Sequence, residues 1–190
     1  MYGWKGRTSE GHGWRGAYLG KARLEGTDLA NARLEGALLW QARLDGAYLA
    51  NARLQGAILW GAQLDGAILR EARLEGAFLE WVRLQGADLA DARLEGADLE
   101  GARLEGVGSL GTAALRGAKL RDMSLENWHM TQEQINATFG DASVTDLDET
   151  ATGPLSRPDH WPKHELDLFD FESEWRKWQE NPDAYRPPEP

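Results

Sequence analysis

AYLGKARLEGTDLANARLEGALLWQARLDGAYLANARLQG, residues 17–56, carries Leu at every fifth position. The Leu series begins at Leu19 and runs to Leu104 without a gap. Ala stands two positions before each of these Leu residues and gives way only at Thr27 and Val82. Every second pentad reads ARLEG or a near copy, and all nine of these between 22 and 106 end in Gly. Variable pentads such as TDLAN and ALLWQ alternate with them, so that 17–106 divides into 18 pentads. A period of five suits no α-helix, which would smear the Leu residues around its circumference, and no long flat strand. Gly at every tenth position would also cost a helix about 1 kcal/mol each relative to Ala. The pattern fits a short extended segment followed by a corner, repeated. Ala and Leu, two apart, share one side of such a segment and point inward. The other three positions face solvent or make the corner.

The register slips once, where Leu104 and Leu110 stand six apart across EGVGSL. Looser pentads follow, centred on Leu110, Leu115, Leu120 and Leu125. Upstream, Trp4, Ser9 and Trp14 keep the Leu phase, and Gly6, Gly11 and Gly16 keep the Gly phase. Residues 2–16 therefore read as degenerate leading pentads.

The form A-[D/N]-L-x-x, seen in ADLAD at 87–91 and ADLEG at 97–101, resembles the pentapeptide-repeat family. The resemblance is strong over 17–106 and loose over 2–127. It implies an all-β solenoid, a right-handed quadrilateral β-helix with one pentad per face and four faces per coil. About six coils are expected. The expected layout is a solenoid over 1–129, with 1–16 as its degenerate start. A capping helix over 130–140 and an acidic, Trp- and Pro-rich linker and tail over 141–190 follow. A 20-residue coil places positions 20 apart above one another. Arg23, Arg43, Arg83 and Arg103 then share one face, and Arg33, Arg53, Arg73 and Arg93 the opposite one. Acidic or amide residues follow two positions later and make mixed-sign ladders. The ARLxG corners end in Gly and suit a positive φ. The alternate corners, at Lys21, Asn31, Gln41 and Asn51, are expected to use a different turn.

Beyond the repeats, MTQEQINATFG at 130–140 reads as a capped helix. Thr131 is its N-cap, Gln134 completes a capping box, Met130 and Ile135 form a staple, and Gly140 suits C′. Residues 141–164 read as a linker. A second helix is expected over about 168–180, with Phe171, Trp175 and Trp178 on one face and a Glu172–Arg176 pair. It stops before Asn181-Pro182. The tail also resembles acidic, Trp-rich tails of some bacterial membrane-associated members of the family.

Composition narrows the chemistry. The 190 residues contain no Cys, which excludes disulfides and Cys-ligated metals. No apolar run approaches a membrane span. The first 16 residues lack a secretory h-region, and a cytoplasmic location is expected, with a place at the inner membrane periphery as the alternative. The net charge of -10 is uneven: +2 over 1–16, -3 over 17–127 and -9 over 128–190. Gly106–Gly111 matches G-x-G-x-x-G, but repeats flank it where a dinucleotide site needs a βαβ unit, so it reads as a loop. His160 and His164 are four apart with Pro162 between them and no third ligand, and His12 and His129 have no obvious partner. No catalytic, metal or cofactor constellation emerges, and the chain is read as a non-enzyme.

One surface stands out. The position before each Leu of one face is Tyr18, Leu38, Ile58 and Phe78, then Asp98. Trp40 and Trp60 follow the Leu, and Trp81 sits at the next corner. These seven side chains should form one apolar wall over four coils, of a size unusual on a soluble monomer. The opposite face repeats the theme weakly with Tyr48 and Ile68. The wall points to an interaction scaffold that docks a protein partner or a second copy. A tail helix bearing Phe171, Trp175 and Trp178 is a candidate cover for it. Two alternatives stand beside this reading. A membrane-surface role suits the Trp residues but lacks the usual basic flank. A DNA mimic that engages topoisomerases, known among the family the chain resembles, needs a strongly acidic rod. The regular Arg rows argue against that alternative.

Overall fold

The computed structural model describes residues 13–107, 110–125, 130–145 and 155–189. Of the degenerate repeats expected over 2–16, those before residue 13 lie outside the described residues. Single-residue parallel bridges join positions 20 apart: Gly13 to Arg33 to Arg53 to Arg73 to Arg93, and Tyr18 to Leu38 to Ile58 to Phe78 to Asp98. One turn of the chain is therefore four pentads. Each extended piece gives and takes one ladder bond, as in Leu39 N–H to Ile58 O (2.7 Å) and Leu38 N–H to Ala17 O (2.9 Å).

Sterics choose the residues. Ala37, Ala42, Ala47, Ala52 and Ala57 are fully buried, and the Leu residues beside them are almost so. The axis is lined by a small and a larger apolar side chain from every face. Burying each Leu contributes roughly 1.5–3 kcal/mol. The inward position two before Leu is Ala in all but two of these pentads, and Val82 occupies it fully buried.

The corners correct one expectation. Ala22 N–H reaches Leu19 O (3.0 Å), and the first residue of each following pentad repeats that bond, as in Thr27 N–H to Leu24 O (3.2 Å) and Ala42 N–H to Leu39 O (3.0 Å). The third residue of each such turn has positive φ, the mark of a type II turn. This holds at Gly26, Gly36 and Gly46, and equally at Lys21 (58°), Asn31 (60°), Gln41 (52°), Asn51 (58°) and Trp81 (58°). The alternate corners do not use a different turn. The ladder fixes one corner geometry for all of them, and the non-Gly corners absorb a left-handed strain of about 1–2 kcal/mol each.

After the slip, a single 3₁₀ turn spans Leu110–Thr112, and the bridge spacing becomes 21: Arg93 to Ala114 and Asp98 to Lys119. Two short strands then pair in parallel, β1 at Lys119–Leu120 and β2 at Phe139–Gly140. Between them lies helix α1, Gln132–Asn136. Thr131 and Gln134 form the expected capping box, and Met130 and Ile135 join the core. Gln134 Nε2 donates to Leu110 O and Ala113 O, filling carbonyls of the preceding coil. Gly140 is not the C′ residue expected of it. The helix is capped at Ala137, and Phe139 and Gly140 rejoin the ladder beside Lys119 and Leu120 with Phe139 fully buried.

The linker reading of 141–164 is also corrected for the described part. Leu155 and Trp161 are buried, and Trp161 Nε1 donates to Thr138 O (2.9 Å). Polar composition hid a few apolar anchors. Helix α2 spans Leu168–Glu180 with Asp167 as N-cap and Asn181 as C-cap.

Candidate docking wall

The bridges put Tyr18, Leu38, Ile58 and Phe78 in one outward column, and the same column continues through Asp98, Lys119 and Phe139. Coil spacing places Gly20, Trp40, Trp60, Glu80, Glu100, Arg121 and Asp141 in the next column. The corner column holds Lys21, Gln41, Gly61, Trp81 and Gly101. Of the seven wall residues, Tyr18 (71%), Trp81 (52%), Phe78 (45%) and Trp60 (44%) are exposed, while Leu38, Trp40 and Ile58 are half-buried.

Glycines set the lie of two indoles. A β-carbon on Gly20 would fall 2.2 Å from the Trp40 ring, and one on Gly101 would fall 2.5 Å from Trp81. Trp40 thus lies back over the preceding coil, and Trp81 lies forward over the following one. Tyr18 meets Trp40 edge-on at 6.2 Å, and Lys21 Nζ sits 5.1 Å over the same indole.

Helix α2 covers the far end of this column. Trp175 Nε1 donates to Gly117 O (3.0 Å), and Lys119 Nζ reaches Glu172, Asp98 (3.1 Å) and the Trp175 ring (4.3 Å). Phe171, Trp178 and Tyr185 surround Phe139 with ring centroids 5.4, 5.6 and 5.8 Å away. His160 stacks on Trp178 at 4.9 Å and bonds Thr138 O through Nε2. Beneath the helix start, Asp141 is fully buried, accepts from Ser143 N–H and Leu166 N–H, and lies 3.7 Å from Arg121. Arg121 donates to Leu166 O (2.7 Å). Phe171, Trp175 and Trp178 therefore pack at Lys119 and Phe139 and not over the Tyr18–Trp81 section they were expected to cover, and Lys119 links the helix to Asp98. Among the described residues, the Tyr18–Trp81 section is left to solvent. Leu168 and Phe169 (82%) are exposed on α2.

The electrostatics change along the wall. Lys21 is at one end, Trp40 and Trp60 lie in a section without charge, and Glu80, Asp98 and Glu100 follow. Burial pushes the Glu80 carboxyl up, with Asp98 and Glu100 adding to the shift, and its Oε2 has no hydrogen-bond partner among the described residues. Burial likewise raises Glu100. Burial alone would lower Lys119, but the bond to Glu172 and the field of Asp98 carry it above the ordinary lysine value.

The Arg faces are ladders rather than free cations. Arg43 meets Glu25 at 2.9 Å, Arg93 meets Glu75 at 3.1 Å, and Arg83 pairs with Asp65. Such exposed pairs are worth about 0–1 kcal/mol each. Acidic and basic side chains thus alternate along these faces. On the opposite face Tyr48 is exposed but stands bridged between Asp28 and Ile68. Sequence reasoning missed Lys119, Phe139, Arg121, Asp141, Leu168 and Phe169. The first four fall after the register slip, where counting by 20 fails by one. Leu168 and Phe169 read as ordinary first-turn residues of the tail helix.

The profile of pentapeptide repeats matches in eight copies, over 15–46, 32–70, 47–86, 67–106 and 83–122. These spans cover more than half of the chain, and the protein belongs to the pentapeptide-repeat family. Members of this family fold as right-handed quadrilateral β-helices. Among curated proteins none matches the chain. Similar solved structures include the pentapeptide repeat protein Rfr23 of the cyanobacterium Cyanothece 51142. It is 33% identical over 50% of this chain and 64% of that one, with a TM-score of 0.49. The chain thus spans less than two thirds of that relative. HetL of Nostoc sp. strain PCC 7120, involved in heterocyst differentiation regulation, is 26% identical over 76% of this chain and 67% of its own, with a TM-score of 0.31. QnrB1, a plasmid-mediated fluoroquinolone resistance protein, is 15% identical over 87% and 91%, with a TM-score of 0.30. Among the described residues no helix is long and apolar enough to cross a membrane.

Proposed function

We propose that this protein is a non-enzymatic scaffold that docks a protein through the wall formed by Tyr18, Leu38, Trp40, Ile58, Trp60, Phe78 and Trp81. One observation carries the reading. The chain uses α2 to bury the far end of this same column and leaves the richer aromatic section beside it exposed. Aromatic anchors in a charge-poor centre with a polar rim are the composition of a protein interface. Membership of a repeat family supports a binding role, since a stacked solenoid offers an extended rigid surface. The expected compartment is the cytoplasm.

A photo-crosslinking residue in place of Ile58 tests this. Irradiation in cells should give discrete protein adducts from position 58 and none from position 73 on the Arg ladder. Adducts of equal yield from both positions, or from neither, would remove the wall from consideration as a docking site.

A further inference from the structure

Charge along the wall is arranged for pairing with itself. Number the rows by their column residue: Tyr18, Leu38, Ile58, Phe78. The first row carries Lys21, the second and third carry no charge, and the fourth carries Glu80, with Asp98 and Glu100 beyond it. A positive end, an apolar middle and a negative end match a second copy laid face to face and reversed.

Only one of the two possible two-fold arrangements satisfies the charges. If the dyad ran along the solenoid axis, each row would face its own copy. Glu80 would then meet Glu80 and Glu100 would meet Glu100, and like charges at close range disfavour association. If the dyad runs across the wall, between the Leu38 and Ile58 rows, the first row faces the fourth and the second faces the third. Columns keep their place. Tyr18 then faces Phe78 and Leu38 faces Ile58, while the Trp40 ring, lying back over Gly20, faces the row of Glu80. Lys21 faces Trp81 with Glu80 beside it. The partner's ammonium would lie beside the half-buried Glu80 side chain. The arrangement is isologous, as two-fold pairs require.

Helix α2 does not obstruct it. The helix sits on the rows of Lys119 and Phe139, and the reversed copy places those rows beyond the first described row of the wall opposite. We infer that the occupant of the wall is a second copy of this chain, packed antiparallel about a dyad between the Leu38 and Ile58 rows. This inference rests on the docking reading above and names its partner.

Sedimentation equilibrium of the full chain between about 2 and 200 µM tests it, a range chosen because small interfaces associate at the weak end of the affinity scale. The mass should rise from the monomer's 21.1 kDa toward twice that value. Ile58→Glu places two carboxylates near the dyad and should weaken association by about 100-fold or more, since buried unpaired charge at an interface costs several powers of ten. Far-ultraviolet circular dichroism should stay unchanged, because residue 58 lies in the outward column and not on the axis. Lys21→Glu and Glu80→Lys should each weaken the dimer about 10-fold, and the double variant should restore it, as expected of a charge pair across an interface. A mass that stays monomeric over the whole range overturns the inference. So does a dimer indifferent to Ile58→Glu, or a charge swap that fails to restore association. A monomeric chain that still crosslinks a different protein from position 58 overturns the second-copy occupant and leaves the docking wall standing. A monomeric chain without adducts removes both.

Discussion

At the scale of single residues, the pentad divides its labour sharply. Ala and Leu meet the axis, the corner residue accepts a left-handed φ, and the position before Leu decides what the surface offers. Glu71 at φ 56° and Asn51 at φ 58° occupy equivalent corners. Asn tolerates this region better than Glu. Glu71→Gly should therefore raise stability by about 0.5–1 kcal/mol, and Asn51→Gly should leave it nearly unchanged, as read from urea melts. At the axis, Ala57 is fully buried. Ala57→Leu should cost roughly 1–3 kcal/mol or more, because overpacking at a ladder position displaces backbone. Equal melting of the variant and the parent would contradict the close-packed axis.

At the scale of elements, the tail is fixed by a small polar hub under an aromatic cluster. Asp141 accepts two backbone N–H groups and faces Arg121. Asp141→Ala would leave the Leu166 N–H without its acceptor and remove the carboxylate facing Arg121, and should cost about 3 kcal/mol. Loss of near-ultraviolet dichroism from Trp161 and Trp178 would report it, and an unchanged spectrum would count against the hub. The tail should also sense pH. Burial lowers the His160 pKa below its ordinary 6.5, against the opposing pulls of Thr138 O and Asp159. The folded state thus binds the proton less well than the unfolded one. Stability contributed by His160 is complete above about pH 6.5 and is lost as pH falls through the folded value. Glu80 and Glu100, raised by burial, act in the opposite sense at lower pH. The difference between the parent and His160→Phe isolates the histidine. The parent should lose melting temperature relative to the variant as pH falls below about 6.5, and parallel curves would contradict the assignment.

At the scale of the whole molecule, the solenoid could be read from one column of the sequence, the unbroken Leu series from Leu19 to Leu104. The wall followed, because positions 20 apart must stack once that series is granted. What lay beyond Leu104 could not be counted out. One inserted residue turns the 20-residue step into 21, and so Lys119 and Phe139 did not show as continuations of Tyr18 and Phe78. Nor could composition reveal that the non-Gly corners share the Gly geometry, since strain at Gln41 or Trp81 is imposed by the ladder and not chosen by the residue. The destination of α2 was illegible for a different reason: Phe171, Trp175 and Trp178 announce an apolar face without naming the surface opposite. In the working state of the protein the Tyr18–Trp81 section should be occupied, while the outer edge of α2 is not. Hydroxyl-radical footprinting compares the dilute purified chain with the chain inside cells. Trp60, Phe78 and Trp81 should be labelled in the dilute chain and protected in cells, with Phe169 labelled in both. Equal labelling of the wall in both settings would contradict an occupied wall.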